Sequence, residues 1–248
     1  MTAPRSLAAP PVLLEIWSTF DGYPMETLTK AWVARSRGGP RQRSVDELEA
    51  HRARTGASGN CFDLAIWLVH RLRVAGVAGR VISDDIDSRD AHVAVLAEVA
   101  GRPFLCDLGD MWLRPIAVDR DVDAPVTGFF PAAAVSLRAQ GRGLAVTYHR
   151  PGGKRSAQRY DLAEIPAATL RDAAEANQRC LAQRLVETRA PAEDAHWEFE
   201  EYASRWSTPE GLRVEPPVVG DAAWAARIAA RTGMRADYVE ACLAAFRG

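Results

Sequence analysis

The chain has 248 residues, of which 48% are hydrophobic and 25% are charged, as in globular proteins that bury a sizeable core. Its 31 Lys and Arg residues nearly balance its 32 Asp and Glu residues. The resulting net charge of -1 gives no general attraction to nucleic acid or to anionic membranes. We therefore expect a small-molecule substrate or a protein partner, and neither a nucleic-acid partner nor a membrane partner.

The N-terminal part of the chain has the apolar spacing of helices. The segments "VLLEIWSTF" and "METLTKAWVARSRGG" are typical of helices, and the Gly-Gly-Pro at 38–40 ends the second one. The segment "SVDELEAHRAR" carries Ser44 and Glu47 at the spacing of a capping box. A further helix begins near Cys61. These patterns predict a helical bundle over residues 1–79.

The middle of the chain changes to the period of strands. The segments "GRVISD", "AHVAVLAEV" and "RPFLCDLG" are typical of strands, and Ala100-Gly101 makes a tight connection between the last two. The segments "GLAVTYH" and "SAQRYDL" pair around the turn "RPGGKR". Residues 80–165 are therefore predicted to form an antiparallel sheet.

The C-terminal part is again predicted to be helical. Its helical segments are "AATLRDAAEANQRCLAQRLVET", "DAAWAARIAARTG" and "RADYVEACLAAF", whereas "STPEGLRVEPPVVG" is typical of a loop. Residues 166–248 thus form a third, helical region. With the bundle and the sheet, this region predicts an α+β fold.

The cysteines indicate a reduced setting. Cys61, Cys106, Cys180 and Cys242 are widely spaced and form no C-x-x-C pair, which argues against a zinc site and against a disulfide framework. We predict no bound metal. The N-terminal segment is broken by prolines and makes a poor signal peptide, and no uncharged run approaches the length of a membrane span. A cytoplasmic location is expected.

Cys61 lies in the stretch "SGNCFDL", where glycine and asparagine precede the apolar spacing of a helix. A thiol in the first turn lies beside unpaired backbone N–H groups and the positive end of the helix dipole, which favour thiolate over thiol. This is the setting of a nucleophile. A cysteine in a helix is nevertheless more often a small buried hydrophobic residue, and we assign that role to the other three cysteines.

The Ala100-Gly101 turn fixes the register of the hairpin that contains it. Val99 then faces Arg102, and the same register places His92 and Asp107 on one face, diagonally across neighbouring strands. A carboxylate beside an imidazole fixes its tautomer and stabilises the imidazolium, and the imidazole can take the proton from a thiol. A shift of one residue would separate the two side chains.

The order Cys, His, Asp, with the cysteine at a helix start and the other two on successive strands, resembles the arylamine N-acetyltransferases of the transglutaminase-like and papain-like thiol superfamily. "YPMETL", "GNCFDL" and "HVAVLAEVAGRPFLCDLG" are similar to family motifs. The likeness runs from about residue 12 to about residue 178. It implies a helical bundle, a small β-barrel and a lid-like third region.

The resemblance also implies chemistry. Cys61 would accept an acyl group from acetyl-CoA or another acyl-CoA as co-substrate and pass it to an amine. His92 would act as general base and proton shuttle, and Asp107 would orient it. The enzyme would hold no bound cofactor. Its partners would be a small-molecule amine and an acyl thioester.

The chain departs from the family pattern in three places. Ala57-Ser58-Gly59-Asn60 replaces the family's arginine and paired glycines before the cysteine, so the loop is built differently. Asp110 stands where the family has a phenylalanine, and its carboxylate either favours a polar or cationic acceptor or turns to solvent. The helices and proline-rich loop predicted for residues 178–248 replace strands.

Further candidates line the two substrate sites. The predicted acceptor pocket comprises Asp110, Trp112, Phe129 and Phe130, although the two phenylalanines are more commonly core residues. The predicted coenzyme A residues are the basic side chains Arg142, Lys154 and Arg155, which would otherwise form a solvated hairpin edge.

Three functions are compatible with these residues. The first is an acyltransferase that acts through Cys61. The second is an amide synthase or hydrolase that uses the same three residues on a biosynthetic thioester. The third is a non-catalytic scaffold, which is disfavoured because a scaffold has little reason to keep all three side chains in register.

Overall fold

A computed structural model describes residues 6–36, 39–181 and 183–247 of the chain. The predicted α+β class is confirmed, because helices pack against two antiparallel sheets. The helices in these residues are α1 (Pro11–Ser18), α2 (Thr29–Arg35), α3 (Val45–Thr55), α4 (Cys61–Val74), α5 (Ala167–Arg179), α6 (Asp221–Thr232) and α7 (Ala236–Ala245). None of the helices in the described part of the chain is long and apolar enough to cross a membrane.

Helices α3 and α4 begin where the sequence predicts. Ser44 and Glu47 form the expected capping box of α3, and α4 begins at Cys61. The predicted helix that starts at Met25 is wrong in its first residues, because Met25 and Glu26 form strand β1 (Met25–Glu26) against a C-terminal strand. The sequence predicts that this helix ends at the Gly-Gly-Pro of residues 38–40, of which Gly38 lies outside the described residues.

The central sheet has eight antiparallel strands and is nearly closed into a barrel, as the resemblance implies. In chain order its strands are β2 (Ala78–Asp84), β3 (His92–Val99), β4 (Arg102–Cys106), β5 (Ile116–Ala117), β6 (Val122–Phe130), β7 (Ala133–Gln140), β8 (Gly143–His149) and β9 (Arg155–Asp161). Their spatial order is β5-β4-β3-β2-β9-β8-β7-β6. The pairing of β2 with β9 places the last strand of the barrel one strand away from the predicted His–Asp hairpin, which β3 and β4 form.

The hairpin register is confirmed. Val99 pairs with Arg102 across the turn, and the pairing continues to Val95 and Cys106. Ala100 and Gly101 have φ values of 51° and 70°, which is the left-handed backbone that a type I′ hairpin turn requires at both central positions. The turn therefore sets the register that places His92 and Asp107 on one face.

The C-terminal region corrects the sequence prediction. Residues predicted as helix and loop form a second sheet, with β1 at one edge, followed by β10 (Leu185–Ala190), β11 (Ala195–Glu200), β12 (Ala203–Thr208) and β13 (Gly211–Val214). The helix predicted over 167–188 ends at Arg179, and Ala182 lies outside the described residues. The helical content predicted for 166–248 is therefore wrong between Leu185 and Val214. The boundaries of the three regions stay a prediction.

Two hydrophobic cores hold these layers together. The larger core lies between α1, α4 and the barrel and includes Trp67 and Phe104. The smaller core lies between the second sheet and helices α6 and α7 and includes Trp197 and Trp224. Because β1 belongs to the second sheet, the segment just after α1 ties the N-terminal bundle to the C-terminal region.

Candidate active site

Cys61 is the first residue of α4, and the cap before it is fully formed. The Asn60 side chain accepts a hydrogen bond from the Asp63 N–H at 3.1 Å, and Asp63 Oδ2 accepts one from the Asn60 N–H at 3.1 Å. The side chain of each residue thus accepts a hydrogen bond from the backbone N–H of the other, which is the capping-box arrangement at the start of a helix. The prediction that Cys61 occupies the first turn is confirmed by this geometry.

The loop before Cys61 is held by a buried arginine from elsewhere in the chain. Arg43, which precedes α3, places Nη2 2.8 Å from Asp63 Oδ2, and both side chains are buried. Gly59 has a φ of 88°, and a Cβ there would lie 2.2 Å from Asp63 Oδ2 and 2.7 Å from Arg43 Nη2. Only glycine fits this position, so the altered loop that the sequence indicates is packed around Arg43.

Glu26 supports the same loop from the other side. Its Oε1 accepts a hydrogen bond from the Gly59 N–H at 2.9 Å, and its own N–H donates to the Gly59 carbonyl at 2.8 Å. Burial raises the pKa of Glu26, and the Arg43 charge opposes that shift. Glu26 of the "YPMETL" segment therefore holds the residues that precede Cys61 in place through these hydrogen bonds.

His92 and Asp107 are in direct contact, as the register predicts. His92 Nε2 lies 2.7 Å from Asp107 Oδ2, and Asp107 is fully buried. Burial lowers the pKa of His92, but the charge and hydrogen bond of Asp107, with a smaller contribution from Cys61, raise it well above the ordinary value. Because Nε2 faces Asp107, Nδ1 is the ring nitrogen that remains for the Cys61 thiol.

Gly109 lies beside Cys61 and His92 at a position with no room for a side chain. A Cβ at this position would lie 2.5 Å from Cys61 Cβ and 3.0 Å from His92 Cε1. The absence of a side chain at Gly109 thus allows the thiol and the imidazole to approach each other.

Two tyrosines complete the surroundings of Asp107, and sequence reasoning missed both. The Tyr160 hydroxyl donates to Asp107 Oδ2 at 2.6 Å, and the Tyr148 hydroxyl donates to Asp110 Oδ2 at 2.6 Å. The Asp110 N–H in turn donates to Asp107 Oδ1 at 2.8 Å. The two tyrosines lie on β8 and β9, and only the pairing of β9 with β2 brings them here.

Two of the predicted acceptor residues line a common cavity. Asp110 and Phe130 border a cavity of about 560 Å³ between the barrel and the second sheet. Phe130 packs on Tyr148 with ring centroids 4.5 Å apart. Trp112 is fully buried beneath them, and Phe129 lies under the Arg114 guanidinium at 5.6 Å. Neither of these two side chains is among the residues that border the cavity.

Asp110 carries a raised pKa in this setting. Burial raises the pKa of its carboxyl to about 7, and the negative charge of Asp107 adds to the effect, whereas His92 and the Tyr148 hydrogen bond oppose it. The carboxyl therefore holds its proton to a higher pH than an ordinary aspartate does. It does not turn to solvent as a free carboxylate, which was one of the two alternatives.

We expect Asp110→Asn to stabilise the protein at high pH. A carboxyl whose pKa is about 7 in the folded state and ordinary in the unfolded state loses stability as pH rises between those values. Asparagine removes that loss, so the melting temperature should rise by a few degrees at pH 8 and change little at pH 4. Thermal melts at both values check this, with the exposed Asp87→Asn as control. An equal shift at both pH values would contradict it.

The predicted coenzyme A residues do not form one patch. Lys154 borders the cavity, and Arg155 follows it at the start of β9. Arg142 lies at the opposite end of β8, where its Nη2 is 2.8 Å from Asp161 Oδ2. Because β8 has seven residues, about 20 Å of strand separates the two groups. Arg150, which also borders the cavity, lies closer to Lys154 and was not among the predicted residues.

A second set of charged side chains faces the cavity from β11 and β10. Glu187, His196 and Glu198 place one possible metal-ligand atom each within 4.8 Å of the others. His196 Nε2 lies 3.1 Å from Glu187 Oε1, and Glu198 forms an ion pair with Arg205. Burial lowers the pKa of His196, but Glu187 raises it above the ordinary value. Because each carboxylate has a basic partner, we describe this group as an ion-pair network.

Solved structures with the same fold are known. The chain shares the fold of the arylamine N-acetyltransferases. The Salmonella typhimurium enzyme aligns with a TM-score of 0.75 and 14% identity over 99% of this chain and 94% of its own. The Mycobacterium smegmatis enzyme aligns with a TM-score of 0.75 and 15% identity over 97% and 92%.

A third structure is the arylamine N-acetyltransferase of Mycobacterium marinum in complex with CoA. It aligns with a TM-score of 0.73 and 16% identity over 93% of this chain and 90% of its own. No family model matches the chain, and no curated protein matches it. The likeness is therefore one of three-dimensional structure and establishes the fold.

Proposed function

We propose that the protein is a thiol-dependent acyltransferase that moves an acyl group from an acyl-CoA to an amine through a thioester on Cys61. The observation that supports this proposal is that His92 is bonded to the buried Asp107 and also interacts with Cys61 at the start of α4. A thiol, an imidazole and a carboxylate in this order are the parts needed for nucleophilic acyl transfer. The CoA complex of the marinum enzyme supports acyl-CoA as donor.

The first half of the reaction acylates the enzyme. His92 takes the thiol proton, and the Cys61 sulfur attacks the donor carbonyl. The first turn of α4 supplies donors for the oxyanion. The Asp63 N–H donates to the Asn60 side chain, and the Leu64 N–H donates to the Asn60 carbonyl. Of the N–H groups described in this turn, those of Cys61 and Phe62 are therefore left to bind the oxyanion. Coenzyme A leaves with the proton from His92.

The second half transfers the acyl group to the amine. The neutral amine attacks the thioester carbonyl, His92 accepts its proton, and Cys61 is released.

The cavity wall carries the carboxyl groups of Asp110, Glu187 and Glu198, which favour an acceptor with polar or positive groups over a plain arylamine. Lys154 and Arg150 on the same cavity are the basic side chains available to phosphates of the donor. The wide spacing of the four cysteines, with no C-x-x-C pair, supports a reduced, cytoplasmic setting.

Intact-mass spectrometry after incubation with a panel of acyl-CoA thioesters tests the proposal. We expect an adduct of one acyl group on the wild type and on Cys180→Ala, which removes the other half-buried thiol, and no adduct on Cys61→Ala. The mass of the adduct identifies the donor. If no acyl-CoA labels the protein while iodoacetamide modifies Cys61 rapidly at neutral pH, the donor is a different thioester and the amide synthase or hydrolase is favoured. If Cys61 is also unreactive, the thiol is structural.

A further inference from the structure

Lys30 is a buried lysine that has no part in the proposed mechanism. It lies on α2 with 6% of its surface exposed. Its Nζ donates to the Asn177 carbonyl at 3.0 Å and to Asn177 Oδ1 at 2.7 Å. Both partners are neutral, and a buried ammonium is costly unless an opposite charge lies near it. The position of Lys30 therefore calls for a negative charge nearby.

The hydrogen bonds of Lys30 lead to the cap of the Cys61 helix. Asn177 Oδ1, which Lys30 contacts, also accepts a hydrogen bond from Asn60 Nδ2 at 2.9 Å. Asn60 is the N-cap residue of α4 and lies next to Cys61. One amide oxygen on α5 thus connects the ammonium of α2 to the residue that begins the catalytic helix.

The acidic groups near Lys30 already have partners. Asp63 is bonded to Arg43, and Glu26 is bonded to backbone and hydroxyl groups of Thr29 and Gly59. Burial lowers the pKa of Lys30, and the negative charges that oppose this shift come first from Cys61 and then from Cys180. Through Asn177 and Asn60 the ammonium is connected to the residue directly before Cys61, so a thiolate at Cys61 would supply a negative charge near Lys30.

We propose that Lys30 is a positioning residue that holds the Asn60 cap through Asn177 and stabilises the Cys61 thiolate with its charge. The inference rests on the proposed function, in which Cys61 reacts as a thiolate. It gives the site a second cation besides the His92 imidazolium, connected to the start of α4 through Asn177 and Asn60. The ammonium contacts neither substrate in this role and acts through the cysteine.

The rate of Cys61 alkylation by iodoacetamide as a function of pH tests this role. We expect the profile of Lys30→Met to move up by about one pH unit, with a rate about tenfold lower at pH 7, because methionine keeps the volume and removes the charge. Lys30→Arg should keep most of the wild-type rate. Arg120→Met removes an exposed positive charge that has no role in the proposed site and should match the wild type. Peptide mass analysis separates labelling of Cys61 from that of Cys180.

A second variant separates charge from hydrogen bonding. Lys30→Gln keeps a donor for Asn177 but carries no charge, so we expect it to behave like Lys30→Met. If Lys30→Gln and Lys30→Met melt at lower temperature but keep the wild-type alkylation profile, Lys30 has only a structural role and the proposal is wrong. Failure of every acyl-CoA to label the protein would contradict the proposed function, yet it would leave the alkylation profiles unchanged. The two failures are therefore distinguishable.

Discussion

Replacing Asp107 by asparagine is expected to lower the rate of Cys61 acylation by about 10³- to 10⁴-fold, the loss that follows when the orienting carboxylate of a nucleophile–histidine pair is removed. Asp107 accepts hydrogen bonds from His92, from Tyr160 and from the Asp110 N–H. An asparagine of the same shape has an NH₂ group at one of these positions. It must then face a donor, and the imidazole loses its fixed tautomer.

The pH dependence of the Asp107→Asn variant identifies the cause. Burial lowers the pKa of His92, and Asp107 is the main group that raises it above the ordinary value. A raised folded-state pKa contributes stability that is present below the unfolded-state pKa and is lost as pH rises through the folded-state pKa. In the variant this contribution disappears, so the charged imidazole should be populated only at low pH.

Acylation and alkylation rates measured from pH 5 to 9 check both expectations. The control is Asp161→Asn, which removes an exposed carboxylate one residue after Tyr160. We expect the control to follow the wild-type profile. An Asp107→Asn protein that is folded and acylates at the wild-type rate would show that the carboxylate has no part in the reaction.

The local features of the site could be predicted from the sequence. The Ala100-Gly101 turn specifies a two-residue hairpin, and the hairpin alone places His92 and Asp107 together. Asn60 precedes Cys61 with Asp63 three residues later, which is a helix-start pattern. These elements depend on neighbours close in the chain, and short-range turn and cap chemistry determines them.

The supporting residues could not be predicted, because distant segments bring them together. Arg43 reaches Asp63 across 20 positions of the chain, and Tyr160 reaches Asp107 across 53. Arg43 lies outside the predicted helices, and the strand pattern that contains Tyr160 does not indicate which residue its hydroxyl contacts. Lys30 is similar, since its partner Asn177 lies 147 positions away. Only the packing of α2 and α5 around the start of α4 reveals them.

The second sheet was missed because its sequence carries few turn signals. Its strands alternate buried residues such as Trp197 and Phe199 with Glu and Arg, which are also frequent in helices. The turn between β11 and β12 places Glu201 and Tyr202 in left-handed backbone, where Asn or Gly is usual. Without glycine at that turn, the sequence gives no indication of a hairpin.

Alanine at Gly109 is the substitution expected to disrupt the site with the least change to the fold. A Cβ there would lie 2.5 Å from Cys61 Cβ, 3.1 Å from Cys61 Cα and 3.0 Å from His92 Cε1. Gly109 is not among the glycines with left-handed backbone, so its conformation suits alanine and the effect is steric. The methyl group must push the cysteine away from the imidazole. A misplacement of about 1 Å in reacting groups costs about 10²-fold in rate, and we expect a loss of that size in acylation.

Gly79→Ala is the matched control, because Gly79 also lacks left-handed backbone. Of the atoms nearest to the methyl group, only Leu72 Cδ1 would be too close, at 2.7 Å, whereas Leu72 Cβ at 3.6 Å and Val95 Cγ1 at 3.7 Å are in ordinary contact. Leu72 Cδ1 is the end of a flexible side chain and can move. We therefore expect Gly79→Ala to acylate like the wild type, and both variants to melt within a few degrees of it. If Gly109→Ala kept full activity, the thiol and the imidazole would not need their close approach, and His92 could not be the base that activates Cys61. A loss of activity in Gly109→Ala alone would show that acylation needs the close approach of the Cys61 thiol and the His92 imidazole.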